Sequence, residues 1–132
     1  MGNIHELIVG RDQDIKEAIS TFMLEKGWES AYISGAIGSV KELVFTTPIG
    51  MDLPIQTQST NCTGPAELLS FIGEIMKSEL MDPELSSVYK DLGPLFIHIH
   101  ASVAVTGGHV YGGGFKSGKT FRSAKIYIQQ IS

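Results

Sequence analysis

The sequence predicts an α+β domain, a mainly antiparallel β-sheet with one or two helices packed on it, spanning residues 1–132 as a single unit. Three observations carry this reading. Aromatic and β-branched residues gather in short alternating runs punctuated by glycine. One segment near the N-terminus places apolar residues at three- and four-residue steps, the period of a helix with one buried face. The order of elements contains no repeated strand-helix-strand unit, which argues against a parallel sheet.

Residues 4–9 (IHELIV) read as the opening strand, and Asp12 is a candidate cap for the helix that follows. That helix carries Ile15, Ala18, Ile19, Phe22 and Met23 on its buried face and stops at Gly27. Residues 28–37 and 40–47 read as two strands joined at Gly38-Ser39, a hairpin. Pro48, Gly50 and Pro54 interrupt the chain before two ambiguous segments, 55–60 and 66–76. The second has a helical period, but it is assigned to two short strands bent at Gly73 because of the resemblance described below. Residues 77–93 form a polar connection with a helical turn starting at Pro83. Residues 95–105, 109–115 and 121–131 then read as three strands separated by glycine-rich turns.

Composition narrows the function. At 132 residues the chain can bury about two-thirds of its unfolded surface in one core. Charged residues are only 18% of the total, which suggests that another subunit covers part of the surface. The formal net charge of -4 and the absence of a Lys/Arg cluster disfavour nucleic acid as a partner. No apolar stretch approaches the length of a membrane span, so no membrane partner is expected. A lone cysteine, Cys62, and an N-terminus without a basic start and apolar run fit a cytoplasmic protein. Cys62 itself reads as structural.

The chemistry concentrates at three histidines. In a strand, residues i and i+2 share a face, so His98 and His100 stand side by side. A turn at Gly107-Gly108 would return the chain antiparallel and place His109 near the pair. Three imidazoles with an open fourth position describe a common catalytic zinc arrangement. A bare His-x-His is more often an ordinary half-buried strand pair; the third histidine in the same hairpin raises the metal reading to equal weight. His5, the fourth histidine, reads as structural.

Residues 113–120 (GGFKSGKT) satisfy the phosphate-loop pattern G-x-x-x-x-G-K-[ST]. A working phosphate loop needs a buried parallel strand before it and a helix after it. Here the sequel, FRSAKIYIQQIS, alternates like a strand and ends the chain. A tight hairpin turn is therefore expected, without nucleotide.

The blocks SGAIGSV (34–40), AELLSFIGEI (66–75) and PLFIHIHASVAVTGGHVYGG (94–113) together resemble the plants-and-prokaryotes-conserved (PPC) domain over nearly the full chain. The family is also similar in architecture to acetolactate decarboxylase, in which a histidine pair plus a third histidine binds zinc. The resemblance implies a homotrimer and a divalent metal, zinc first among candidates, held by His98, His100 and His109. It also implies Glu67, in the ELLS block, as a ligand or a catalytic proton-transfer group, against the plain alternative of a structural hydrogen-bond acceptor. Lys125 stands where many prokaryotic members carry glutamate, and the Arg-Gly-Arg-Pro core of the plant AT-hook proteins is absent, which removes that minor-groove device.

The expected function is thus a trimeric metalloprotein that binds a small polar molecule, with transformation of that molecule left open. A DNA-binding or transcription-associated protein, drawing on Lys116, Lys119, Arg122 and Lys125, and a pure assembly module are the alternatives.

Overall fold

The computed structural model describes residues 3–87 and 93–132, so the last part of the predicted polar connection, 88–92, lies outside the described residues. The elements in chain order are β1 (Ile4–Val9), α1 (Ile15–Lys26), β2 (Ser30–Ile49), β3 (Gln56–Cys62), β4 (Ala66–Lys77), β5 (Leu95–Ala104) and β6 (Val110–Gln130). They form one six-stranded sheet in the order β1-β6-β5-β4-β2-β3, and every pairing is antiparallel. Because β6 also pairs with β2, the four strands β6, β5, β4 and β2 close into a ring. The α+β architecture expected from the sequence is present, with α1 as its α-helix and single 3₁₀ turns elsewhere among the described residues.

Inside the ring Phe45, Phe71 and Phe115 meet edge to face, with centroids 6.5 Å apart for Phe45–Phe115 and 5.4 Å for Phe71–Phe115. Helix α1 contributes Ile15, Ile19 and Met23 to the same core as Val9, Ile126 and Ile128. The i, i+4, i+8 spacing of the three helical residues puts them on one stripe. His5 packs edge-on against Phe22 and Trp28, with centroids 6.4 and 4.9 Å away, in keeping with a structural role.

Several boundaries differ from the sequence reading, for local physical reasons. The N-cap of α1 is Asp14, whose carboxylate accepts the Glu17 N–H at 2.9 Å. Asp12 instead sits at positive φ and pairs with Lys41 at 2.6 Å; that hydrogen bond and charge hold its carboxyl below the usual range. Gly27 closes the helix in the left-handed conformation, as predicted.

The predicted hairpin at Gly38-Ser39 is absent: β2 runs unbroken for 20 residues, and Gly38, at φ 150°, lies at a register shift against β6. A side chain there would overlap Ser123 and Ala124 of β6. Likewise β4 is one strand with a register shift between Leu68 and Ser70, not two strands bent at Gly73. Gly73 is required because a Cβ would overlap the His98 carbonyl and Ile99 of the neighbouring strand.

The largest difference lies in the glycine-rich segment. No turn occurs at 113–120; β6 passes straight through it for 21 residues. Gly118 is glycine because Leu43 and Phe115 occupy the space of a side chain. Thr120, the last residue of the phosphate-loop pattern, is fully buried, accepts the Gln13 N–H at 3.0 Å and donates to the Gly10 carbonyl. It ties the start of α1 to β6, a structural task.

Two outcomes follow for unfolding in urea. Gly73→Ala is expected to cost about 3 kcal/mol, because the added carbon meets backbone and cannot be absorbed by a rotamer change. Thr120→Val is expected to cost about 1–3 kcal/mol, since a part-buried N–H and a carbonyl both lose their partner while volume is conserved.

Candidate metal site

Register on β4, β5 and β2 builds the site. Glu74 lies opposite His98, Ile72 opposite His100, and Tyr32 opposite Glu74 on the far side of β4. Positions two apart on a strand and directly opposite across strands share a face, so these side chains form one cluster on the outside of the ring. Tyr32, Ile72, Glu74, His98 and His100, with Gly73 as the floor, line a concavity of about 280 Å³. The inward-facing alternates on the same strands, Phe71, Ile75 and Ile99, are buried in the core.

The two imidazoles meet edge to face with centroids 5.1 Å apart. Two histidines bound to one tetrahedral zinc through Zn–N bonds of about 2.0–2.1 Å have ring centroids about 5 Å apart, a separation this pair matches. His98 Nδ1 lies 3.4 Å from Glu74 Oε1, and Phe96 stacks obliquely on the other side of the ring at 5.4 Å. A carboxylate beside Nδ1 restrains the orientation of the ring. The side chains are 27% exposed at His98 and 50% at Glu74, open enough for a solute to reach the pair.

The structure brings His98 and His100 together but does not bring His109 to them within one chain. The β5–β6 ladder pairs His100 with Gly114 and Ala104 with Val110. His109, next to Val110, is therefore five residues along β6 from the position opposite His100, about 16 Å at strand rise. It sits exposed after the 3₁₀ turn Thr106–Gly108, where Gly107 and Gly108 take positive φ, and its carbonyl accepts the Val105 N–H at 2.9 Å. The turn was legible in the sequence. Its distance from the histidine pair was not.

Glu67 also lies away from the pair, seven residues up β4 from Glu74, roughly 23 Å at strand rise. It is paired with Ala104, at the same end of the sheet as His109. There it lines a broad cleft of about 720 Å³ whose opposite wall carries Phe121 and Arg122. Glu67 and Arg122 flank Ser39: Glu67 is its partner on β4, and the Ser39 hydroxyl accepts the Arg122 N–H at 3.0 Å. Within a single chain, the described residues hold no group of three or more His, Cys, Asp or Glu able to bind a metal ion. Glu74 is the residue that sequence reasoning missed; its only signal was its place seven residues beyond Glu67 in the same strand.

Cys62 is buried in the core, and burial pushes its thiol up, as expected for an inert structural cysteine. Among the described residues no helix is long and apolar enough to cross a membrane.

Comparisons with known proteins agree with the fold. The model of the Plants and Prokaryotes Conserved (PCC) domain matches residues 1–132. A plant- and prokaryote-conserved protein from Pyrococcus horikoshii is similar in structure, with 25% identity and a TM-score of 0.77 over 99% of this chain and 80% of that one. A metal-containing protein from Archaeoglobus fulgidus shows 26% identity and a TM-score of 0.77 over 99% of this chain and 81% of its own. A putative DNA-binding protein from Bacteroides thetaiotaomicron, 19% identical with a TM-score of 0.74 over 100% of this chain and 81% of its own, shares the fold. Curated protein sequences supply no match.

Proposed function

Because this chain belongs to the Plants and Prokaryotes Conserved (PCC) domain family, we propose that it is a homotrimeric metalloprotein whose site for a divalent metal, zinc first among candidates, is completed between subunits. The observation that carries the reading is the His98–His100 pair at 5.1 Å, backed by Glu74. The metal-containing relative from Archaeoglobus fulgidus supports it.

One chain presents two half-sites at opposite ends of the β4–β5–β6 surface: His98, His100 and Glu74 at one end, His109 and Glu67 at the other. A cyclic trimer is assembled through heterologous contacts, in which one end of each subunit meets the other end of its neighbour. Such an arrangement carries His109 of one copy to the histidine pair of the next and brings Glu67 with it. Exposed Tyr32, Ile72, Leu69, Val110 and Tyr111 supply apolar area on this surface for the contact. Three imidazoles then leave one position for water or a small polar ligand, and Glu67 is placed as a ligand or proton-transfer group. The bound ion would supply Lewis-acid polarisation and a more acidic water. The residues of the chain supply orientation: Glu74 holds the His98 ring, and Tyr32 and Ile72 wall the site.

Duplex DNA is the competing partner. The formal net charge of -4 opposes it, and Lys116, Lys119, Arg122 and Lys125 are strung along about 30 Å of β6 instead of forming a patch. A DNA affinity falling steeply with salt would favour that partner; a trimer free of metal and ligand would favour an assembly module.

Metal analysis of protein purified without a histidine tag is expected to give one divalent ion per subunit. His98→Ala, His100→Ala and His109→Ala should each abolish it without dissociating the fold, and Glu74→Gln should weaken affinity about 10–100-fold. Mixing His100→Ala with His109→Ala subunits separates the arrangements. A site shared between neighbours regains about a quarter of its metal on random 1:1 reassembly, whereas a site within one subunit regains none.

A further inference from the structure

A second polar cavity lies beside the histidine pair, and the metal reading does not use it. The β5–β6 ladder ends at the His100–Gly114 pair, while β6 continues along β2 through Phe115 and Ser117. Between the diverging strands, under the first turn of α1, is a cavity of about 270 Å³. Its polar lining consists of Lys16 from α1, Thr46 from β2, Thr57 and Ser59 from β3, Lys116 from β6, and His98. Thr46 and Ser59 are directly opposite across β2 and β3, and Thr57 is two residues from Ser59, so the three hydroxyl positions share a face.

The charge here is one-sided. Two lysines line the cavity and no carboxylate does. Among the described residues neither ammonium lies within ion-pair distance of a carboxylate. Folding two cations towards one half-enclosed cavity is unfavourable unless an anion joins them. Lys16 bears the consequence: burial lowers its pKa below the usual lysine range, Asp14 acts in the opposite direction, and Lys116 adds to the lowering.

We propose that this cavity is a binding site for a compact tetrahedral oxyanion, the phosphoryl group of phosphate or of a small phosphorylated metabolite. Two ammonium groups, one from α1 and one from β6, supply charge-assisted hydrogen bonds, and three hydroxyls supply further donors around a centre with more than two oxygens. That donor count suits a tetrahedral anion better than a planar carboxylate. The volume admits the phosphoryl group and a few further atoms, and not a nucleotide. The site stands on the lysines and hydroxyls and does not rest on metal binding. His98 forms a wall of both cavities, so an anionic ligand anchored here has its remainder next to the histidine pair.

Isothermal titration of the full-length protein with inorganic phosphate, at an ionic strength held constant with chloride, tests the site. Saturable binding with a Kd on the order of 1 mM or tighter is expected. Lys116→Gln, a surface change that leaves the core untouched, and Lys16→Gln should each weaken it about tenfold or more. His100→Ala removes a residue that lines the metal face but not this cavity; it should abolish metal binding and leave phosphate affinity unchanged. Glycerol 3-phosphate, compared with glycerol, distinguishes the sources: a tighter ester points to a phosphorylated metabolite, and an excluded ester to free phosphate. The assignment is overturned if phosphate at about 20 mM behaves as chloride does, if both lysine variants bind like the wild type, or if His100→Ala loses phosphate along with metal.

Discussion

Strand β6 hydrogen-bonds to β5 with its first residues, to β2 through its length and to β1 with its last, and this shared ladder sets the position of every polar group of interest. A ladder admits no continuous adjustment. Its side-chain period is two residues, so a slip of one would turn His98 and His100 into the core and expose Ile97 and Ile99. Phe45, Phe71 and Phe115, packed edge to face inside the ring, oppose such a slip by the area they would lose. The core therefore holds the outer face in register.

The same constraint divides the polar residues. Pairing of Glu74 with His98 puts a carboxylate beside an imidazole, while pairing of Glu67 with Ala104 puts the other acid of β4 at the far end, beside the turn that carries His109. One strand thus contributes to both half-sites. The proposal of a subunit-spanning centre follows from that separation and from the closed symmetry of small oligomers. The low charged fraction of 18% and the apolar residues exposed on the same face are consistent with it. Where β6 leaves β5 to follow β2, the sheet opens, and the opening collects Lys16 and Lys116 around a cavity that flat pairing would have filled.

Glycine marks the places where strands approach closely, and turns only some of the time. Gly73 and Gly118 lack side chains because a neighbouring strand or core residue occupies the space, and Gly38 adds to this a backbone angle of φ 150° at an irregularity. Gly107 and Gly108 do make a turn, with positive φ at both. Sequence alone does not separate these uses, which explains why hairpins were expected at 38–39 and 113–120 where long strands run through.

The α+β class, the first strand, the helix from Ile15 to Gly27 and the shared face of His98 and His100 were legible in the sequence, because each depends on a period or cap written in contiguous residues. Family resemblance added the β assignment of 66–76 against its helical period, and the structure has a strand there, one from Ala66 to Lys77 in place of two bent at Gly73. Tertiary structure alone decided that Glu74 backs His98, that His109 lies about 16 Å along the hairpin from the pair, and that two lysines a hundred residues apart face one cavity. Those facts depend on cross-strand register, which hydrogen bonds and core packing between distant segments determine and which no local pattern of residues encodes.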